Sequence, residues 1–418
     1  MTDLTIRTLE DNNICTRVEA LEEAMQSRTF DWARINSGSW NREGLDKLAP
    51  KMVEAFSQLQ ATVTLNTPDA IERINGKGRP DAFETSPIIN IEARPDAPVQ
   101  VVMTGHYDTV FPPGTFTDIT DLGDGRVNGP GLADMKGGLS VMLGALQAFE
   151  AGPLKNQLGY RIVISPDEET GNFASASALQ KASSSGAMIG MTYEPCLESG
   201  AMSGGRKGSA VFDIVLQGRS AHAGRAKQEG RSALEAASHL VVGLEGLNGQ
   251  YEGVSVNVGA IDGGGAVNIV PDLSIIRFGA RAPDDEAASW ATERINELLA
   301  DALARDGISG QLHGGFYRPP KPRNAAQDAL FDAVSETGRA IDLDLEFVDT
   351  GGVCEGNNVF AAGVPNVDTL GVMGGRIHSA EEYVVMSSFV ERAQLSALLL
   401  NRLADGRIDA AKIKAMMG

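Results

Sequence analysis

Cysteine is scarce in this 418-residue chain: Cys15, Cys196 and Cys354 stand far apart, with no CxxC spacing. An odd, sparse set of thiols argues against a disulfide framework and favours a reducing compartment. Long hydrophobic runs are missing too, and no apolar stretch reaches the length of a membrane span. The opening Met-Thr-Asp-Leu-Thr has no basic region leading into an apolar core, so no signal peptide is expected and cytoplasmic is the default location. Basic residues are outnumbered, 36 against 55 acidic, for a net charge of -19. Nucleic-acid binding needs clustered Lys and Arg, so that class is excluded. There is no GxSxG elbow, no Cys/His pairing motif and no Walker loop; GGGAVN and GGRKG lack the required ending.

Glycine, by contrast, is abundant at 48 residues, several clustered beside polar groups as in loops where backbone must approach something closely. The length predicts two domains. Helical periodicity covers 16–28 and 43–59, then short apolar runs at 61–65, 88–93, 99–105, 160–165 and 187–193 read as strands around a helix at 135–150. This alternation predicts an α/β fold with a mixed, largely parallel sheet and helices on its faces. From about residue 206 the order becomes strand 209–218, helix 231–247, strands 254–261 and 273–282, helix 284–306 and a strand near 308–316. This βαββαβ order predicts an inserted ferredoxin-like α+β unit. The stretch RPPKPR (318–323) marks its far seam, followed by a helix (325–339), a strand (345–349), VDTLGV (367–372) and a terminal helix (387–405). The expected boundaries are 1–205 with 319–418 for one discontinuous domain, and 206–318 for the insertion.

Only five histidines occur, which makes their placement informative. His106 in TGHYDTV directly follows an apolar strand, where open α/β sheets keep their sites. Asp108, two residues on, is placed to accept the second ring N–H of His106. Asp134 sits in the glycine-rich NGPGLADMKGG, as a helix cap or as a carboxylate bridging two cations. In ISPDEETGN three acids follow a strand, an arrangement that costs energy unless a cation or proton compensates. There one glutamate of an extended loop can ligate a metal while its neighbour faces the bound water. Glu194 in TYEP and His378 in GRIHSAEEY are each weak signals alone. Jointly, acids and imidazoles at several strand ends match a two-metal oxygen/nitrogen site that suits zinc, and also cobalt or manganese. His222 in GRSAHAGRA is too remote to ligate and is expected to stabilise an oxyanion. His239 and His313 are read as structural.

GHYDTV, GPGLADMKGG, DEETG, YEP, SAHAG and IHSAEEYV occur in the order and rough spacing of the M20 family of metallopeptidases and amidohydrolases, and the chain resembles its glutamate-carboxypeptidase branch from about residue 35 onward. The resemblance implies two divalent ions, most readily zinc, one held by His106, Glu194 and the shared Asp134, the other by Glu169, His378 and Asp134. It implies Glu168 as general base, Asp108 as the residue orienting His106, and the insertion as a lid and dimerisation domain. His222 would then reach the partner subunit's site in a homodimer. Asn268, Arg281 and Gly352 would contact a small-molecule amide substrate, Arg281 through the α-carboxylate of the released amino acid. A deacylase or dipeptidase of the same family is the alternative, and a non-catalytic relative is disfavoured because every ligand position is filled. The segment TGGVCEGNN (350–358) departs from the branch, with Val353, Cys354 and Glu355 for its Gly, Thr and Asp.

Overall fold

The computed structural model describes residues 4–417, so Met1, Thr2 and Asp3, where the signal-peptide expectation begins, lie outside it. Six strands form the central sheet in the spatial order Thr62–Asn66, Ile88–Ala93, Leu158–Ser165, Val99–His106, Ile189–Thr192 and Asn366–Val367. The last four run parallel and the first two pairings are antiparallel, which is the mixed, largely parallel sheet expected. Val99–His106 and Leu158–Ser165 are buried almost end to end, as strands covered on both faces must be. Gly138–Glu150 and Ser388–Ala404 pack together within the same core cluster as the sheet, through Leu139, Leu143 and Leu146 on the first and Leu395, Leu398 and Leu399 on the second. Each such fully buried side chain contributes roughly 1.5–3 kcal/mol of transfer free energy.

Residues 208–318 build a separate four-stranded antiparallel sheet in the order Ser255–Gly263, Leu273–Ala282, Gly208–Gln217, Ser309–Arg318. Helices Ala233–Glu245 and Asp285–Leu303 cover one face and share a core with Phe212, Ile214, Ile276 and Phe278. This is the expected βαββαβ unit, and its core is distinct from that of the central sheet. The chain crosses between the two at a single paired place. Arg206 N–H donates to Lys321 O (2.8 Å), and Lys321 N–H returns a bond to Arg206 O (2.9 Å). Asn357 Nδ2 donates to both Lys207 O (3.0 Å) and Pro319 O (2.8 Å), stitching the two crossings together.

Several expectations change. The helix expected at 16–28 is two helices, Leu9–Glu19 and Glu22–Ala33, with Thr8 capping the first through a capping box. VDTLGV is a strand only at Asn366–Val367; beyond it Thr369 takes φ 62° and the chain leaves the sheet. A hairpin, Ile71–Ile74 paired with Pro80–Phe83, and the strands Thr120–Gly123, Arg126–Asn128 and Tyr383–Val385 had no clear periodicity because they are short and largely exposed.

Candidate metal centre

His106 closes the strand Val99–His106 with its ring fully buried. Its Nδ1 lies 3.1 Å from Asp108 O and 3.3 Å from Asp108 Oδ1. Its Nε2 faces Asp134 Oδ1 at 3.2 Å, Glu194 Oε2 at 3.7 Å and Glu168 Oε2 at 3.9 Å. On the far side His378 Nε2 sits 3.2 Å from Asp134 Oδ2 and 3.2 Å from Glu169 Oε2. Asp134 therefore turns one oxygen to each imidazole. It is no helix cap; it lies in the turn Leu132–Gly137 ahead of the helix, with non-helical dihedrals and a cis peptide to Met135.

Two placements differ from expectation. The Glu168–Glu169 segment is a turn of 3-10 helix, Glu168–Thr170, rather than an extended loop. His378 follows no strand of the central sheet; it comes from a loop after Gly374–Gly375 with φ 64°. Tertiary contacts, not strand ends alone, aim these groups. Asp108 accepts the backbone N–H of Glu168 (3.1 Å) and of Glu169 (3.1 Å), as well as Ser39 Oγ–H (2.7 Å). It thus fixes both His106 and the acidic turn. Glu382, buried, does the same for the Asp134 loop by accepting from the N–H groups of Gly131, Ala133 and Asp134 at 2.9–3.2 Å.

The electrostatics describe a site short of positive charge. Burial, with the nearby charge of Asp134, pushes Glu169 up to about 8. Burial raises Glu168 to about 7, opposed by Arg318 and reinforced by Glu194. Burial works against a proton on His106, but the Glu194 charge and its bonds to Asp108 and Asp134 win and raise its pKa well above the usual imidazole range. His378 is drawn up to about 11 by its hydrogen bonds to Asp134 and Glu169. Asp134 is held low by the two imidazoles, against its burial. Buried Glu194 Oε1 has no hydrogen-bond partner. Oxygen and imidazole donors packed at these distances, one acid oxygen orphaned, are the donor set that borderline divalent cations take. The residues present fit two such ions.

A cleft of about 380 Å³ opens over Asp134, Glu168, Glu169, Glu194 and His378. Arg281 and Gly352 line it, as do Arg206, Arg318, Val353 and Cys354. His222 and Asn268 do not line this cleft. They lie exposed and adjacent on the inserted unit, where Ala223 N–H donates to Asn268 O (2.9 Å) and His222 Nδ1 accepts from Gly224 N–H (3.1 Å). Arg318, read from sequence only as part of a proline-rich seam, proves central. Its Nη2 sits 2.7 Å from Glu168 Oε1, and its Nε donates to Asn172 Oδ1 (3.1 Å). An arginine closing a strand just before two prolines was the one signal for it. Arg206 pairs with Asp368 (2.5 Å), which also takes Lys321 (2.9 Å), in a buried cluster under the cleft floor. Glu355 accepts from Ser165 Oγ–H and is raised to about 8 by burial. Cys354 is fully buried, caps the helix Glu355–Ala361 through its Sγ, and has its thiol pKa raised by burial. His239 pairs with Glu235 on its helix (3.0 Å), as a structural residue would.

Residues 102–402 match the peptidase family M20/M25/M40, most of the chain including every residue of the cluster. The chain belongs to this family. It is 25% identical over 315 residues to carboxypeptidase G2 of Pseudomonas sp. (strain RS-16), covering 73% of this chain and 74% of that protein. It is also 25% identical over 395 residues to the succinyl-diaminopimelate desuccinylase of Methylibium petroleiphilum, covering 86% of this chain and 100% of the relative. Among solved structures, an M20 family metallo-carboxypeptidase from Sulfolobus solfataricus superposes with a TM-score of 0.70 at 16% identity, over 91% of this chain and 99% of its own. As a member of M20, the chain is a hydrolase of C–N amide bonds. Among the described residues no helix is long and apolar enough to cross a membrane.

Proposed function

We propose that the protein is a two-metal amidohydrolase that releases an amino acid with a free α-carboxylate from a small N-acyl or peptide-like substrate. The observation that carries this is Asp134, whose two oxygens lie 3.2 Å from His106 on one side and 3.2 Å from His378 on the other. His106, Asp134 and Glu194 would hold one ion, and His378, Asp134 and Glu169 the other. Zinc suits these donors, with cobalt or manganese as substitutes. When bound, the pair supplies Lewis acidity to the scissile carbonyl and a water acidic enough to lose a proton near neutral pH.

The chain's own residues do the rest. Glu168 lies as near His106 as Glu194 does (3.9 against 3.7 Å), but its other oxygen is held by Arg318. That oxygen's engagement supports a base rather than a ligand: Glu168 takes the proton of the attacking water and later delivers it to the leaving amine. Arg281 Nη1 is buried without a hydrogen-bond partner, and Arg281 stands beside Arg318, whose charge together with burial lowers its pKa. An unpaired guanidinium in a cleft calls for an anion, and a planar carboxylate fits its fork. Residues 1–205 and 319–418 form the catalytic domain in this reading, and 206–318 the lid. His222 and Asn268 are exposed and do not line their own chain's cleft, which supports a homodimer in which each lid presents them to the partner subunit's cleft. A panel of N-acyl amino acids and their C-terminal amides, assayed with zinc-, cobalt- and manganese-loaded protein, tests the proposal. Release of the amine product is expected to be much more efficient from the carboxylates than from the amides; equal turnover of the amides overturns the carboxylate anchor, and no turnover with any metal overturns the activity.

A further inference from the structure

The hairpin of residues 71–83 belongs to neither core. It leaves the central sheet between Thr62–Asn66 and Ile88–Ala93 and, among the described residues, forms its own two-stranded sheet, Ile71 opposite Phe83 and Ile74 opposite Pro80. Its base is fastened to the catalytic domain. Phe83 meets the Trp40 ring edge-on at 4.8 Å, Arg73 lies 4.4 Å over the same ring, and Arg42 pairs with Glu84 at 2.6 Å. Its tip is stiffened by Asn75, whose side chain accepts from the N–H groups of Lys77 (2.8 Å) and Arg79 (3.1 Å).

That tip rests on the lid. Ile74, 8% exposed, forms a small apolar cluster with Val215 and Ile275 of the lid sheet, with Leu273 packed against it. Gly78, at φ 69°, lies so close that a Cβ there would come within 2.8 Å of Val215 Cγ1 and 3.1 Å of Leu273 Cδ1. Between base and tip a cavity of about 570 Å³ opens between the two bodies, lined among others by Trp40, Arg73 and Arg277, with the Phe173 and Tyr317 rings meeting across it at 4.4 Å. The hairpin therefore props the lid at a second place, across that cavity from the contacts Arg318 and Tyr317 make.

The point it chooses matters. Along Leu273–Ala282 the residues Ser274, Ile276, Phe278, Ala280 and Ala282 are buried on the helix side, so Ile275, Arg277, Gly279 and Arg281 share the opposite face. Ile74 grips that face at Ile275, and Arg281 stands at its other end, about 20 Å away at ~3.3 Å per residue. A strand within a four-stranded sheet transmits tilt as a stiff lever. We infer that the 71–83 hairpin is a strut that sets the lid's angle over the cleft, and that Ile74 is a positioning residue for Arg281. The strut stands on geometry alone; its consequence for substrate rests on the role proposed for Arg281.

The test uses full-length, metal-loaded protein carrying spin labels at Glu54→Cys and Val242→Cys, both exposed, since the three native cysteines are buried. Ile74→Asp removes the apolar grip, and Gly78→Ala, in a turn outside both cores, wedges the tip off the sheet through its Cβ and strains the turn at φ 69°. The expected result is a broadened or shifted label distance in both variants. With it should come a rise of about tenfold in KM for an N-acyl amino acid and a kcat within about twofold, a pattern of lost uniform binding. In an Arg281→Ala background Ile74→Asp should add nothing further to KM. An unchanged distance distribution in both variants overturns the strut, whatever the substrate proves to be. A changed distance with KM effects that persist undiminished in the Arg281→Ala background overturns the positioning role.

Discussion

Arg318 Nη2 stands 2.7 Å from Glu168 Oε1, so the last residue of the inserted unit's sheet holds the acid beside the His106 cluster. Both side chains are nearly buried, and Asn172 Oδ1 accepts from Nε and Nη2 of the guanidinium. Removing one partner of a buried pair strands the other's charge, at a cost of roughly 3–5 kcal/mol. Arg318→Met is expected to lower the melting temperature and reduce kcat by about 100-fold or more, whereas Glu168→Gln should abolish turnover and leave the metal content unchanged. Elemental analysis beside steady-state kinetics checks this; loss of metal in Glu168→Gln would make Glu168 a ligand.

Metal occupancy should divide by side. His378→Ala removes a group that, among the described residues, pairs with Asp134 and Glu169. It is expected to lower the bound metal from two ions towards one per chain, while His106→Ala perturbs both sites through Asp134. Chelation should lower the melting temperature as well, because the buried carboxylates then repel without compensation. Calorimetry before and after dialysis against chelator reads the shift.

Arg281 offers a sharper split. Arg281→Ala should raise KM for an N-acyl amino acid by about 10- to 100-fold, the value of a charge-assisted bidentate contact, and leave turnover of the matching C-terminal amide little changed. Kinetics on the two substrates decide it. Equal effects on both would assign Arg281 to packing.

Acid stability is expected to depend on Asp11, far from the cleft. Burial opposes its charge, but hydrogen bonds from Arg407, the Thr8 N–H and Asn401 outweigh it and hold its pKa at about 2. The folded value lies below the unfolded one of 3.8, so its contribution is complete above about pH 4 and drains away as pH falls towards 2. Asp11→Asn should cost on the order of 1–2 kcal/mol at pH 7, after allowance for solvent screening, and little at pH 2. Urea unfolding across that range measures it.

The chain of amino acids alone was enough to find the alternating strands and helices, the βαββαβ insertion and the cluster His106, Asp134, Glu169, Glu194 and His378. Those signals are local. A buried parallel strand needs a continuous apolar run, and an acid or imidazole just beyond it breaks the run visibly, as at His106, Glu169 and Glu194; Asp134 and His378 sit in turns and were legible through their motifs. Only the tertiary structure decided that Asp134 faces two imidazoles rather than caps a helix, since its two oxygens meet histidines 28 and 244 positions away in the chain. The same holds for Arg318 on Glu168, Glu382 beneath the Asp134 loop, and the hairpin of residues 71–83 against Ile275. Their partners are distant in sequence, and a charge or an isoleucine carries no periodicity that reveals what it will touch. His222 and Asn268 show the converse: their motifs were legible, yet folding one chain leaves them outside its own cleft.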